Sequence, residues 1–378
     1  MTQERAEPFL SAVMIVRDEE AVLGDCLASI ESVVDEMVIA DTGSTDRSRE
    51  IGAAHGARLI DFPWRDDFAA ARNAALVEAR GQWILYIDAD ERLARTDKAL
   101  ARAALDNPRL IAARPWFRIK TGFTLAREFR LFRNDPRIRF RGAIHEKVSI
   151  DILRLSGELG LEIGEPDLLL EHIGYDGPQE HKHRRNLPLL RAELASRPDD
   201  VYNWHHLGRI LEATGDEPGA HEAWTNAVAA VRRRGGRWGV DCPAYFDLLR
   251  LECARGGPAE ALLVEAETRF PDNPLTLLWR GNVAMRARRY GDAAECFLAL
   301  TRIDPERFSD PEVAFEKRLF GELAFAALGN CCFQIGDYGT SAAFYGKAAA
   351  ADPGSLEYRA KAELARSRAA QTTAAPLP

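Results

Sequence analysis

Two aspartates one residue apart, Asp88 and Asp90, follow directly on the apolar run Trp-Ile-Leu-Tyr-Ile at 83–87. The run is short, rich in aromatic and β-branched residues, and bounded by Gly81 and by acids. It predicts a fully buried strand that delivers both carboxylates to a sheet edge. In open α/β sheets ligands collect beyond the carboxyl ends of the strands, and acidic oxygens placed there suit a hard divalent cation holding a diphosphate. An isolated pair of this kind equally begins an ordinary polar loop, so the assignment depends on what else reaches the same edge.

The elements before it alternate. Residues 9–16 read as a strand, and Asp18, Glu19 and Glu20 then open an amphipathic helix with Leu23, Cys26, Leu27 and Ile30 on one face. A second strand at 36–40 ends in Asp-Thr-Gly-Ser-Thr-Asp at 41–46, where Gly43 permits a tight turn and Ser44, Thr45 or Asp46 can cap the next helix. A third strand at 57–60 precedes Asp66-Asp67-Phe68 and an alanine-rich helix to residue 79. Strands and helices at this spacing predict a parallel, doubly wound sheet.

Four segments are similar, in order and spacing, to the successive motifs of family 2 glycosyltransferases: Met-Ile-Val-Arg-Asp-Glu-Glu at 14–20, the turn at 41–46, Asp-Phe-Ala-Ala-Ala-Arg-Asn at 67–73, and Ile-Asp-Ala-Asp-Glu at 87–91. The family has the nucleotide-sugar-binding GT-A fold and inverts the transferred sugar. Relatives usually carry Asn where Asp18 stands. The resemblance implies a nucleotide seat made by Val16 with its neighbours, Glu19, Asp41 and Arg72. Asp41 would accept from a pyrimidine ring N–H, which favours a UDP-sugar. Asp88 would lie toward ribose and metal, and Asp90 would ligate the metal. Gly-Ala-Ile-His-Glu at 142–146 resembles the motif of the catalytic base, with Glu146 in the base position. Leu-Glu-His-Ile-Gly-Tyr at 170–175 resembles a late histidine motif in which His172 completes the coordination. A nitrogen ligand joined to oxygens suits Mn2+ as well as Mg2+. Another role for Glu146 is an ion pair with an arginine such as Arg141; other candidate acids in the neighbouring sequence are Glu128 and Asp151.

Beyond residue 93 the pattern changes. Strands are expected at 112–119, 128–132 and 138–140, with a turn at Asn134-Asp135-Pro136. Arg127, Arg130, Arg133, Arg137, Arg139 and Arg141 crowd this stretch. They either guard an edge strand or include one or two contacts to donor phosphates or an anionic acceptor.

The expected domains are a GT-A unit at 1–175, a bridging helix at 176–200, tetratricopeptide-like repeats at 201–367 and a disordered tail at 368–378. In the bridge, His181 and His183 diverge on a helix, so the basic run there reads as a solvated face. From residue 201 the sequence repeats with a period of about 34, marked by Trp204, Leu207, Gly208, Ala220 and Trp224, then Gly281, Tyr290 and Phe297, then Gly329, Tyr338 and Tyr345. This resembles the tetratricopeptide repeat, interrupted by an insertion at 306–319. Such an array binds a protein partner or only supports the enzyme unit.

The formal charge of -8 argues against a nucleic-acid partner. Six cysteines without a C-x-x-C pair read as small buried hydrophobes in a reducing compartment. The acidic start and the absence of an apolar run approaching the roughly 20 residues of a spanning helix predict a cytoplasmic protein, with peripheral contact at the inner membrane face left open. The acceptor class stays open among saccharide, lipid-linked and protein or peptide. One competing reading is a catalytically silent nucleotide-binding domain on a repeat scaffold. The intact set Asp41, Asp88, Asp90, Glu146 and His172 counts against it. Another is a nucleotidyltransferase, whose glycine-rich basic phosphate loop is replaced here by Arg17-Asp18-Glu19-Glu20.

Overall fold

The computed structural model describes residues 7–94, 96–173, 180–235 and 239–374. They fall into two compact units: residues to 121, 125–198 and 310–314, and residues 122–124, 199–309 and from 315 onward.

The first unit runs β1 (Leu10–Val16), α1 (Leu23–Ile30), β2 (Glu36–Asp41), α2 (Ser48–Ala54), β3 (Arg58–Asp61), α3 (Phe68–Glu78), β4 (Trp83–Tyr86), β5 (Glu91–Ala94), α4 (Lys98–Leu105), β6 (Leu110–Ala113), β7 (Trp116–Arg118), β8 (Ala126–Arg127), β9 (Leu131–Arg133), α5 (Ser149–Leu159), β10 (Glu162–Gly164), β11 (Leu169–His172) and α6 (Glu180–Ser196). Seven strands form one sheet in the order β10-β6-β9-β4-β1-β2-β3, and β5-β11-β7-β8 form a second. The main sheet is buried on both faces, which is why its strands read as continuous apolar runs. Side chains alternate across it. Leu10, Ala12, Met14 and Val16 pack with Leu23, Leu27 and Ile30 of α1 on one side, while Val13 packs with Ala75, Leu76 and Ile152 on the other.

The doubly wound sheet is mixed rather than wholly parallel, because β9 runs antiparallel between β4 and β6. The expected strand at 112–119 is two strands in different sheets: Pro115 has no N–H to continue a ladder, so β6 joins the main sheet and β7 the second. Of the strand expected at 128–132 only Leu131 and Phe132 are extended, in β9, and β8 lies just before the stretch. Residues 138–140 form no strand, since the Asn73 side chain takes both backbone groups of Phe140, donating from Nδ2 to its carbonyl and accepting its N–H, each at 2.9 Å.

The second unit is helical: α7 (Val201–Ala213), α8 (Glu217–Arg234), α9 (Cys242–Arg255), α10 (Ala259–Arg269), α11 (Pro274–Arg286), α12 (Tyr290–Leu300), α13 (Glu322–Gln334), α14 (Tyr338–Ala351) and α15 (Leu356–Ala374). Asp200, Asp216, Asn273 and Asp337 cap α7, α8, α11 and α14 through side-chain oxygens. Repeated glycines in the first helix of a pair admit an aromatic ring from the second. A Cβ at Gly281 would lie 2.6 Å from the Phe297 ring, one at Gly329 2.9 Å from Tyr345, and Gly208 meets Trp224 in the same way. Helix α15 continues past Ser367, where a disordered tail was expected, because residues 368–374 include alanines that favour helix; residues 375–378 lie outside the described residues. All six cysteines are buried and free. Among the described residues no helix is long and apolar enough to cross a membrane.

Candidate active site

The carboxyl ends of β1, β2 and β4 assemble the site. Val16 pairs in register with Asp41, so both reach the same edge, and the Val16 carbonyl accepts from the Thr42 N–H at 2.9 Å. Asp41 is buried and accepts from Ser44 N at 3.1 Å and from Arg49 Nη1 at 2.8 Å. Burial opposes its charge, but Ser44 and Arg49 together hold its carboxyl below the usual range. Arg49 bridges on to Asp61 at 2.6 Å.

The loop after β1 is fastened to the loop after β2. Asp18 has a left-handed backbone (φ 55°) and accepts from Thr45 N at 2.7 Å. Asp and Asn are the non-glycine residues most at ease there. The fastening sets Glu19 beside the aspartates, its N–H donating to Ser48 Oγ at 2.8 Å. Burial first, and then the charges of Asp90 and Asp88, push its carboxyl up to about 7 against the pull of Lys182.

After β4, Asp88 donates its N–H to Glu91 Oε2 at 2.9 Å. Glu91 is buried and held in a fork by Arg130, at 3.0 and 2.7 Å, and Arg130 lies between the rings of Tyr86 and Phe117. Desolvation opposes the Arg130 charge, yet Glu91 and its neighbours raise it well above the ordinary guanidinium value. This pair forms a charged floor under the Asp88 loop.

Arg72, from α3, is buried between Tyr86 and Phe140. It donates from Nη2 to Asp88 Oδ1 at 2.8 Å and from Nε to Glu146 Oε1. Its Nη1 is buried with no hydrogen-bond partner among the described residues. Desolvation works against the Asp88 charge, but Arg72 and Arg130 lower its carboxyl below the ordinary value.

Antiparallel pairing of β11 with β5 sets His172 opposite Glu91, and its Nε2 lies 3.1 Å from Asp90 Oδ2. Burial disfavours the imidazolium, whereas Asp90 outweighs it and raises the His172 pKa. Gly174 and Tyr175 of the same motif, and the expected boundary at 175, lie outside the described residues. Among the described residues no group of three or more His, Cys, Asp or Glu side chains could hold a metal alone. Mg2+ and its like are commonly held by one or two protein ligands plus substrate phosphates, so an oxygen and a nitrogen donor at Asp90 and His172 fit such an ion.

The structure thus brings Asp88, Arg72 and Glu146 into one network and Asp90 and His172 into contact. It sets Val16 and Asp41 side by side at the carboxyl ends of β1 and β2, with Glu19 near the aspartates. The arginine-rich stretch is engaged within the unit. Arg127 donates to the carbonyls of Arg114 and Pro166, Arg133 to those of Leu110 and Asn107, and Arg139 to that of Ile138. Arg137 pairs with Asp135 and Arg141 with Asp151. Sequence reasoning assigned no role to Arg49 or to the Glu91–Arg130 pair. The rise of dense arginine beside a buried-strand pattern was the available signal.

Residues 11–155 match the glycosyl transferase family 2 model. A TPR repeat-containing protein of Synechococcus elongatus is 38% identical over 224 residues, 55% of this chain and 53% of the relative. The SPbeta prophage-derived glycosyltransferase SunS of Bacillus subtilis is 26% identical over 223 residues, 54% of this chain and 49% of SunS. The lipopolysaccharide core biosynthesis glycosyltransferase LpsC of Rhizobium meliloti is 41% identical over 109 residues, 28% of this chain and 37% of LpsC. The chain spans about half the length of the first two relatives. With its sheet, its edge of acids and this match, the segment 11–155 is similar to glycosyl transferase family 2, on a chain that continues into helical repeats.

Proposed function

We propose that the chain transfers a sugar from a nucleoside diphosphate sugar, with UDP as the favoured nucleotide, to a nucleophile of a saccharide, lipid-linked or peptide acceptor, inverting the sugar carbon. The observation that carries this reading is the Arg72 bridge, which ties the end of β4 at Asp88 to Glu146 at one sheet edge. The glycosyltransferase names of the relatives support the activity, and the LpsC name supports a saccharide acceptor.

Asp41, held ionised by Arg49 and Ser44, is suited to accept the ring N–H of a uracil. Asp90 and His172 would hold a divalent cation against the diphosphate. That ion supplies Lewis-acid stabilisation of the charge developing on the leaving group. Glu146 accepts the proton of the acceptor hydroxyl while its oxygen attacks the anomeric carbon. The bond from that carbon to the diphosphate oxygen breaks and its electron pair leaves with the diphosphate. Arg72 fixes the direction of the Glu146 carboxylate. A base so placed contributes about 10²- to 10⁴-fold.

The test is a panel of nucleotide sugars, each with Mn2+, followed by hydrolysis and by thermal stabilisation. A UDP-sugar that is turned over or that raises the melting temperature supports the reading. Response to none of the panel, at saturating Mn2+, overturns it.

A further inference from the structure

We propose that Trp64, Phe68 and Arg185 form the acceptor subsite and that it takes a saccharide bearing an acidic group, a phosphate or a carboxylate. This rests on the glycosyl-transfer reading above.

An acceptor hydroxyl must come within hydrogen-bond reach of Glu146, so the surface that holds the acceptor must adjoin that residue. Two elements meet there at one backbone position. Phe68, the first residue of α3, donates its N–H to the Ala143 carbonyl at 2.9 Å, and the Ala143 N–H donates to Glu193 of α6. Arg185 precedes Glu193 by two helical turns on the same helix. Its guanidinium carbon lies 5.0 Å from the centre of the Phe68 ring. The Trp64 ring meets Phe68 edge to face with centroids 4.7 Å apart, and its Nε1 donates to Asp66 at 2.8 Å, which orients the indole. Trp64 and Phe68 are half-buried.

An exposed aromatic face accepts the C–H face of a pyranose, and a guanidinium over it adds a planar fork that matches phosphate or carboxylate. The charge of the site argues for the acidic group. Against the acids Glu19, Asp88, Asp90 and Glu146, Arg185 is the cation left to meet an anion, since it makes no ion pair among the described residues and donates from Nε to Asn186 at 3.1 Å. Desolvation and then repulsion from Arg17 lower its pKa, against the favourable fields of Glu146 and Glu19. Helix α6 follows the segment matched by the family model, so this recognition is added by the chain's own continuation.

The experiment titrates glucose 6-phosphate, glucuronate, glucose and inorganic phosphate into the full chain by calorimetry, with and without Mn2+ and UDP. We expect the acidic sugars to bind about tenfold tighter than glucose, and R185Q to remove most of that difference. F68L should weaken all the sugars and leave inorganic phosphate as it was. Equal affinity of inorganic phosphate and glucose 6-phosphate would reduce the site to an anion site and overturn the proposal. So would an R185Q affinity ratio equal to that of the parent. If R185Q weakened Mn2+-UDP binding as much as it weakened glucose 6-phosphate, Arg185 would serve the donor instead. Absence of Mn2+-UDP binding to the parent would count against the transfer reading, while Arg185-dependent binding of acidic sugars in the same titrations would still stand.

Discussion

Arg72 Nε donates to Glu146 Oε1 across 74 residues of sequence, and both side chains are nearly buried. The contact separates Glu146 from the other acids of its stretch. Asp151 accepts a fork from Arg141 at 3.0 Å for each bond, and Glu128 pairs with Arg130 at 2.9 Å. Those two are committed to holding the fold, while Glu146 shares its cation with Asp88 at the end of β4.

Glu146→Gln should therefore separate binding from chemistry. Gln keeps the size and one acceptor oxygen for Arg72 but takes no proton at neutral pH, so Mn2+-UDP affinity should persist while transfer falls by about two to four orders of magnitude. Turnover near that of the parent would remove Glu146 as the base.

Asp90→Ala removes the oxygen that lies 3.1 Å from His172 Nε2. Cation-dependent UDP affinity should fall at least tenfold, with the far-ultraviolet circular dichroism unchanged. Equal Mn2+-UDP affinity in parent and variant, by calorimetry, would move the cation elsewhere.

Arg72→Met leaves Asp88 and Glu146 facing each other without their shared cation. Removing one partner of a buried ion pair costs about 3–5 kcal/mol. Urea unfolding should show that loss in the first unit, and restoring charge with Lys should recover only part of it, because an ammonium cannot fork.

Glu36→Gln tests the anchor at the start of β2. Glu36 accepts from Ser11 Oγ at 2.6 Å, Arg80 N at 2.8 Å and Arg80 Nε at 3.0 Å. Burial opposes its charge, and Ser11 and Arg80 nonetheless lower its carboxyl below the ordinary glutamate range. A carboxyl depressed on folding stabilises above its unfolded pKa, and that stability is lost as the pH falls through the folded value. The variant should melt lower than the parent at pH 7, and the gap should close at pH values below about 4. A gap of equal size at pH 3 would contradict the assignment.

Gly281→Ala and Gly346→Ala should differ in sign. A Cβ at Gly281 lies 2.6 Å from the Phe297 ring, whereas one at Gly346 meets nothing within 4 Å. Overpacking costs about 1–3 kcal/mol, and Ala in an open helical position stabilises by about 0.5–1 kcal/mol. Thermal melts of the two variants check the contrast.

The alternating sheet, the edge at which its motifs collect, and the helical repeats were legible in the sequence because each rests on local pattern. A short apolar run ending in turn residues specifies a strand and its loop, and a glycine one helix before an aromatic specifies a close helix pair. Strand direction carries no such mark: β9 reads the same whether parallel or antiparallel, and only its pairing with β4 and β6 decides it. The same holds for the arginines. Arg130 and Arg141 stand in one arginine-dense stretch, and what separates them is which carboxylate the fold brings within reach, Glu91 and Asp151 in turn, while Arg72 of the alanine-rich helix reaches Glu146 with Asp88. His172 reaches Asp90 only because β11 pairs with β5 in the register that sets it opposite Glu91. The sequence determined which residues could do chemistry. The tertiary structure decided which of them stand together, because charge pairing acts over a few ångströms in space whatever the distance along the chain.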